Sequence, residues 1–225
     1  MAAAIPSTDQ RTATSPARRS QLERRTATRA ALLRSAVELI VEQGNADLRL
    51  TEVASHAGVT KGAIQHHFAT KNDLLAAVVL DGWSDLTTRL DGYAPGDSSI
   101  EERIVRLVEL MWQSYSRPAA LAAYTIVATI NDAPELIAQH LTAFDDARTT
   151  LDRQWGAAFA DTEISTQQVQ SARHFTRTYI TGMLTHRRVE SNPPNAAEEL
   201  LLLQQAVLGF FAATPTDNTT DQERP

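Results

Sequence analysis

An all-α fold is predicted by three features of the sequence. Apolar residues recur at helical spacing along nearly the whole chain, no alternating strand pattern interrupts them, and Gly, Pro and capping-type Ser, Thr and Asn divide them at helix-length intervals. The expected layout is a small N-terminal unit of three helices carrying a helix-turn-helix, followed by a larger helical domain. Its 225 residues suffice for a sizeable core, and 43% of them are hydrophobic, as in an ordinary globular protein.

Residues 1–20 are rich in Ala, Ser, Thr, Pro and Arg without helical period, and read as a disordered basic arm that ends on Arg18 and Arg19. With Arg24 and Arg25 close behind, such an arm suits either a minor groove and phosphates or plain solvation. The first helix should run from the low twenties to Gln43 on the stripe Leu33, Val37, Ile40 and Val41, with Gly44 as its stop. Ser20 with Glu23 makes a possible capping box, and Thr26 or Thr28 could cap a later start.

Helix two is expected over about 52–57 with Thr51 as N-cap, and helix three over about 61–67. Gly58 between them can take a positive φ without steric cost, so the chain turns within about three residues. The whole motif spans about 49–68. In it Val53, Ala54, Ala57, Val59 and Ile64 face inward, while Thr60, Lys61, Gly62, Gln65 and His66 face outward. That outward set of donors, acceptors and one small residue is what base edges and phosphates require. Thr70 with Asp73 forms a further capping box opening helix four, whose stripe runs Leu74, Leu75, Val78, Val79, Trp83 and Leu86.

Asp91 to Ser99, with two Gly and one Pro, reads as the linker to the second domain, 98–213. Ser99 with Glu102 caps a helix through Ile104, Leu107, Val108, Met111, Trp112 and Tyr115. Pro118 starts one ending near Asn131, and Pro134 starts a long one striped by Leu136, Ile137, His140, Phe144, Leu151, Trp155 and Phe159. Ser165 with Gln168 caps the next, through Val169, Ala172, Phe175, Tyr179 and Met183, which Pro193 and Pro194 end. Asn195 with Glu198 caps the last. Residues 214–225 read as a disordered tail.

The net charge of −6 is unevenly placed. Residues 1–75 hold 10 Lys and Arg against 7 Asp and Glu, whereas residues 76–225 hold 11 against 20, so the cationic part accompanies the helix-turn-helix. The absence of cysteine excludes disulfides, thiolate metal sites and cysteine nucleophiles. No apolar run approaches a membrane span and the alanine-rich start lacks a signal-peptide core, so a cytoplasmic protein with no membrane partner is expected. No GxSxG, HExxH, P-loop or GxGxxG occurs, and no enzymatic activity, cofactor or metal is expected. His66 and His67 are adjacent and point about 100° apart on a helix, which does not chelate one ion. Glu101 with Glu102 and Asp145 with Asp146 are neighbours of the same kind, on solvated faces.

RAALLRSAVELIVEQG and LTEVASHAGVTKGAIQHHFATKNDLL resemble the N-terminal domain of TetR-family transcriptional regulators. That family's pattern is a helix ending in Glu-x-Gly, a Thr-x-x-apolar-Ala, an Ala-Gly-Val-Ser/Thr, and a short recognition helix closing on His-Phe-x-x-Lys. The likeness covers residues 26–86. It implies a helix-turn-helix DNA-binding domain joined to a helical effector-binding and dimerisation domain, and a homodimer formed through the last two helices. It also implies a small-molecule effector and a double-stranded DNA operator. Where the family commonly has Tyr, this chain has Gln65, which could bond either adenine or a phosphate.

The residues expected at DNA are therefore Thr51, Thr60, Lys61, Gly62, Gln65, His66, His67 and Lys71, with Lys61, Lys71 and His66 at phosphates and His67 against the Ala54 side of the motif. Candidates for the effector are the rings with polar tips and their neighbours: Trp112, Tyr115, Tyr124, His140, Phe144, Trp155, Phe175 and Tyr179. An aromatic stripe at helical spacing is more often core than pocket, and convergent polar tips favour the pocket. The function expected is a ligand-responsive repressor that leaves a pseudo-palindromic operator when its effector binds. The alternative is a helical small-molecule-binding or enzymatic protein without sequence-specific DNA binding.

Overall fold

The computed structural model describes residues 16–90, 93, 96–129 and 134–212; the side chains of 16–19, 89–90, 134–136 and 139–140 fall outside that description. The described residues form nine helices and no strand. They are α1 (Pro16–Gln43), α2 (Leu50–His56), α3 (Lys61–His67), α4 (Lys71–Leu90), α5 (Ile100–Tyr115), α6 (Pro118–Thr129), α7 (Pro134–Ala158), α8 (Thr166–Val189) and α9 (Ala196–Ala212).

α1 begins earlier than its sequence suggests. Residues 16–20, expected in the arm, are helical, and Ser20 is not a cap: its hydroxyl and carbonyl both accept from the Arg24 guanidinium at 3.2 Å. Residues 1–15 and 213–225, which carry the rest of the arm and the tail, lie outside the described residues. α1 also buries a wider face than the expected stripe. Leu32, Ala36 and Leu39 are buried with Val37 and Ile40, while Leu33 and Val41 are only partly covered. The reason is that α1 packs on α2 on one side and on α4 and α6 on the other. Two faces are dry, and helical periodicity for a single face cannot report that.

The capping signals are realised where both partners are local. Thr70 accepts from the Asp73 N–H at 3.1 Å while the Asp73 carboxylate accepts from the Thr70 N–H at 2.8 Å. Ser99 with Glu102 and Ser165 with Gln168 form reciprocal boxes. At α9 Asn195 accepts from the Ala197 N–H at 2.9 Å, and it is Glu199, not Glu198, that is held, by Arg187 at 2.9 Å. α8 stops at Val189, ahead of Pro193 and Pro194.

α5 runs through the second domain with Ile104, Leu107, Val108, Met111 and Tyr115 all buried, against α4, α6, α8 and α9. Below it the buried Arg103 is held by the Asp161 carboxylate, by the Ser98 carbonyl at 2.8 Å and by the Ala158 carbonyl at 3.1 Å. A buried guanidinium needs this many acceptors to offset its lost hydration, and the result pins the segment before α5 to the α7–α8 turn. α4 and α6 approach closely at Gly82, where a Cβ would stand 2.7 Å from the Ala119 carbonyl oxygen. No helix among the described residues is long and apolar enough to cross a membrane.

Candidate functional site

The helix-turn-helix is assembled on two buried anchors. Ile64 of α3 and Phe68 just after it pack into the core with Val53 and Ala54 of α2, which fixes the roll of a helix too short to be stable alone. Gly58 takes φ 67° and closes the turn. Thr60 caps α3, its hydroxyl accepting from the Ala63 N–H at 3.2 Å. Thr51 does not cap α2. Arg49 occupies that position without a side-chain bond, and Thr51 lies one residue inside the first turn, exposed.

Lys61, Gly62, Gln65 and His66 are all exposed along one side of α3, with Thr60 at its start. His67 is partly covered, and it sits on the α1 side: burial first, then the charges of His66, Arg25 and Arg29, hold its pKa below the ordinary histidine value. The Arg29 guanidinium stands 5.0 Å over the Phe68 ring. α1 therefore adds Arg25 and Arg29 to the cationic surface beside α3, of which Arg29 has no counterpart in the motif as read from sequence. Lys71 is first of all a structural tie. Its ammonium donates to the Ala46 carbonyl at 2.6 Å and is partly buried, joining the start of α4 to the α1–α2 loop. Its expected phosphate contact would have to be made with the donors that remain.

In the second domain the structure sorts the eight expected effector residues. Tyr115, Tyr124 and Phe144 come together, and they meet Trp83 of α4, which the sequence assigned only to a core stripe. The Trp83 ring stands edge-on to Tyr124 at 5.1 Å and to Phe144 at 5.7 Å, and Tyr115 and Tyr124 are 5.7 Å apart. Arg177 of α8 places its guanidinium 5.4 Å over Phe144. The Tyr124 hydroxyl is buried and makes no hydrogen bond of acceptable geometry, although Tyr115 and Arg177 both act on it. Burial, reinforced by Tyr115, raises its pKa well above that of a free phenol. Burial raises Tyr115 as well.

The other expected residues lie elsewhere. Trp155 is wholly buried beside Phe159, which stacks edge-on against Phe211 of α9 at 5.1 Å, so it belongs to the core under α9. Trp112 lies under the Arg187 guanidinium at 6.0 Å. Phe175 is 46% exposed and pairs with Tyr179, 6.3 Å away along α8, so it faces outward and not into the domain. The His140 side chain lies outside the described residues. Sequence reasoning missed Arg177 and its neighbour Arg173, since an arginine on a polar helix carries no mark of what it faces. Arg173 is buried and neutralised by Asp152 at 2.5 Å.

Residues 32–78 match the family described as bacterial regulatory proteins, tetR family. The HTH-type transcriptional regulator CymR of Pseudomonas putida is 36% identical over 94 residues, which is 40% of this chain and 46% of that protein. The HTH-type transcriptional repressor BepR of Brucella suis is 42% identical over 52 residues, 23% of this chain and 25% of that one. The match thus spans less than half the length of either relative. The fold extends further: the transcriptional regulator FadR of Bacillus subtilis, solved in complex with stearoyl-CoA, superposes with a TM-score of 0.61 over 82% of this chain and 97% of that one, at 16% identity. The helix-turn-helix segment is thus similar to that of the tetR family of bacterial regulatory proteins, and the helical fold is shared over most of the chain.

Proposed function

We propose that the protein is a ligand-responsive transcriptional regulator that binds a pseudo-palindromic operator as a homodimer in the cytoplasm and acts as a repressor. The observation that carries this reading is α3: a short helix anchored by Ile64 and Phe68 that leaves Lys61, Gly62, Gln65 and His66 exposed together. Two such helices related by a two-fold axis enter successive major grooves when they are about 34–36 Å apart. Lys61 and His66 hold phosphates, Gln65 meets a base edge or a phosphate, Gly62 allows close backbone approach, and Thr51, Thr60, His67 and Lys71 border the contact.

Repression is supported by BepR being named a repressor. FadR's bound stearoyl-CoA supports an effector site in this fold for a molecule with a large apolar part, and here the Trp83, Tyr115, Tyr124 and Phe144 cluster is the place for it. An effector releases DNA only by binding better to a conformer whose α3 spacing misfits the operator. The last two helices supply the dimer contact: Phe175 and Val189 on α8 and Leu201, Leu202 and Phe210 on α9 are apolar residues left exposed among the described residues.

Fluorescence anisotropy with duplexes from the DNA flanking the protein's own gene is the test, run at several salt concentrations. Salt-sensitive binding to one duplex over scrambled DNA is expected, with Lys61→Ala weakening it at all sequences and reducing the salt slope by about one per subunit. An unchanged slope in Lys61→Ala overturns the orientation of α3. No binding to any duplex at any salt favours the helical ligand-binding or enzymatic alternative.

A further inference from the structure

The cluster around Tyr124 is electrostatically unfinished. Arg173 and Arg177 lie one turn apart on α8. Arg173 is paired with Asp152, which also takes Arg148 at 3.3 Å, so that carboxylate is fully used. Arg177 has no carboxylate partner among the described residues. Its contacts are the Phe144 ring, the His174 Nδ1 at 3.4 Å and the Tyr124 hydroxyl. A half-buried guanidinium thus faces a phenol that makes no well-formed hydrogen bond, between Trp83 and Phe144. A partly buried cation without a counter-charge among the described residues is costly, and an anion would satisfy both it and the hydroxyl.

Resting on the reading that this domain holds an effector, we propose that the effector is a monoanionic carboxylate with an aromatic or long apolar body. Its carboxylate is bonded by the Arg177 guanidinium and the Tyr124 hydroxyl, and its body lies against Trp83 and Phe144. Arginine presents parallel N–H donors that match a carboxylate, and the phenol adds a third donor. Because burial holds Tyr124 protonated, its hydroxyl serves as a donor across the working pH range. A cationic aromatic ligand is disfavoured by Arg177 itself. A phosphate dianion would leave one charge uncompensated, since Arg173 is already spent on Asp152.

Isothermal titration of the full chain with phenylacetate, 2-naphthoate and decanoate, each beside its neutral primary amide, tests this. At least one carboxylate is expected to bind tenfold or more tightly than its amide. Arg177→Gln and Tyr124→Phe should each weaken the carboxylate, by about tenfold to a hundredfold for the arginine, and leave the amide within about twofold. Arg177→Lys should recover part of the loss, and cooperative thermal melting shows that each variant is folded. Amides that bind as tightly as the acids, or a carboxylate affinity unchanged in Arg177→Gln, overturn the charge selection while leaving an effector site in place. Silence from all six compounds in a protein that still binds its duplex overturns the charge selection together with the placing of an effector site in this cluster.

Discussion

His67 shows how one residue of the reading surface couples to its surroundings. Its pKa lies below the usual histidine value because it is partly buried and faces His66, Arg25 and Arg29. The unfolded chain then binds more protons than the folded one as pH falls through the ordinary histidine value near 6.5, so His67 lowers stability on acidification from there down through its own folded pKa. A phosphate nearby would reverse the electrostatics and raise that pKa, so DNA binding takes up a proton. Operator affinity should therefore rise as pH drops from 7.5 to 6, and the rise should shrink in His67→Gln; a pH-independent affinity in the wild type counts against a phosphate at this position. The identity of the exposed residues on α3 was legible because α3 is a local unit with two apolar anchors. The partner of Lys71 was not. Its carbonyl acceptor at Ala46 is 25 residues away, and no local pattern names a loop carbonyl.

Single elements divide along the same line. Capping boxes at Thr70, Ser99 and Ser165 were legible because donor and acceptor sit three residues apart. The burial of two faces of α1 was not, because it depends on α6, about 80 residues onward. α4 and α6 meet at Gly82, and its environment sets two effects of opposite sign against each other. Gly82→Ala would gain helix propensity, but its methyl meets the Ala119 carbonyl at 2.7 Å and the Ala123 Cβ at 3.0 Å. Backbone cannot yield as a flexible side chain does, so overpacking should win and cost about 1–3 kcal/mol in urea unfolding. Gly156→Ala on α7, where nothing stands within 4 Å, should instead stabilise by roughly 0.5–1 kcal/mol. Equal effects at the two positions would mean that α4 and α6 are not in firm contact.

At the scale of the molecule, the apolar residues Phe175, Val189, Leu201, Leu202 and Phe210 of α8 and α9 stay exposed among the described residues of one chain. A closed two-fold dimer would cover them by matching the patch with itself. Leu202→Glu, at a residue 60% exposed in the single chain, should leave the fold intact and shift sedimentation to the monomer, with operator binding weakened far more than for a surface charge change elsewhere. A dimer that persists in this variant relocates the interface. The overall architecture was legible in helical spacing, and the grouping of Tyr115, Tyr124 and Phe144 partly so. Trp83 and Arg177 were assigned to a stripe or passed over, since which helices converge is set by tertiary packing. That packing also joins the two halves. Asn45 in the α1–α2 loop accepts from Thr129 at the end of α6 at 2.8 Å, and the Val41 carbonyl at the end of α1 accepts from Arg188 on α8 at 2.9 Å. For hybrid regulators this seam decides where a splice works: a relative's first 70 residues still offer Arg188 a backbone carbonyl at position 41, but lose the bond to Thr129 unless the graft carries a side-chain acceptor at position 45.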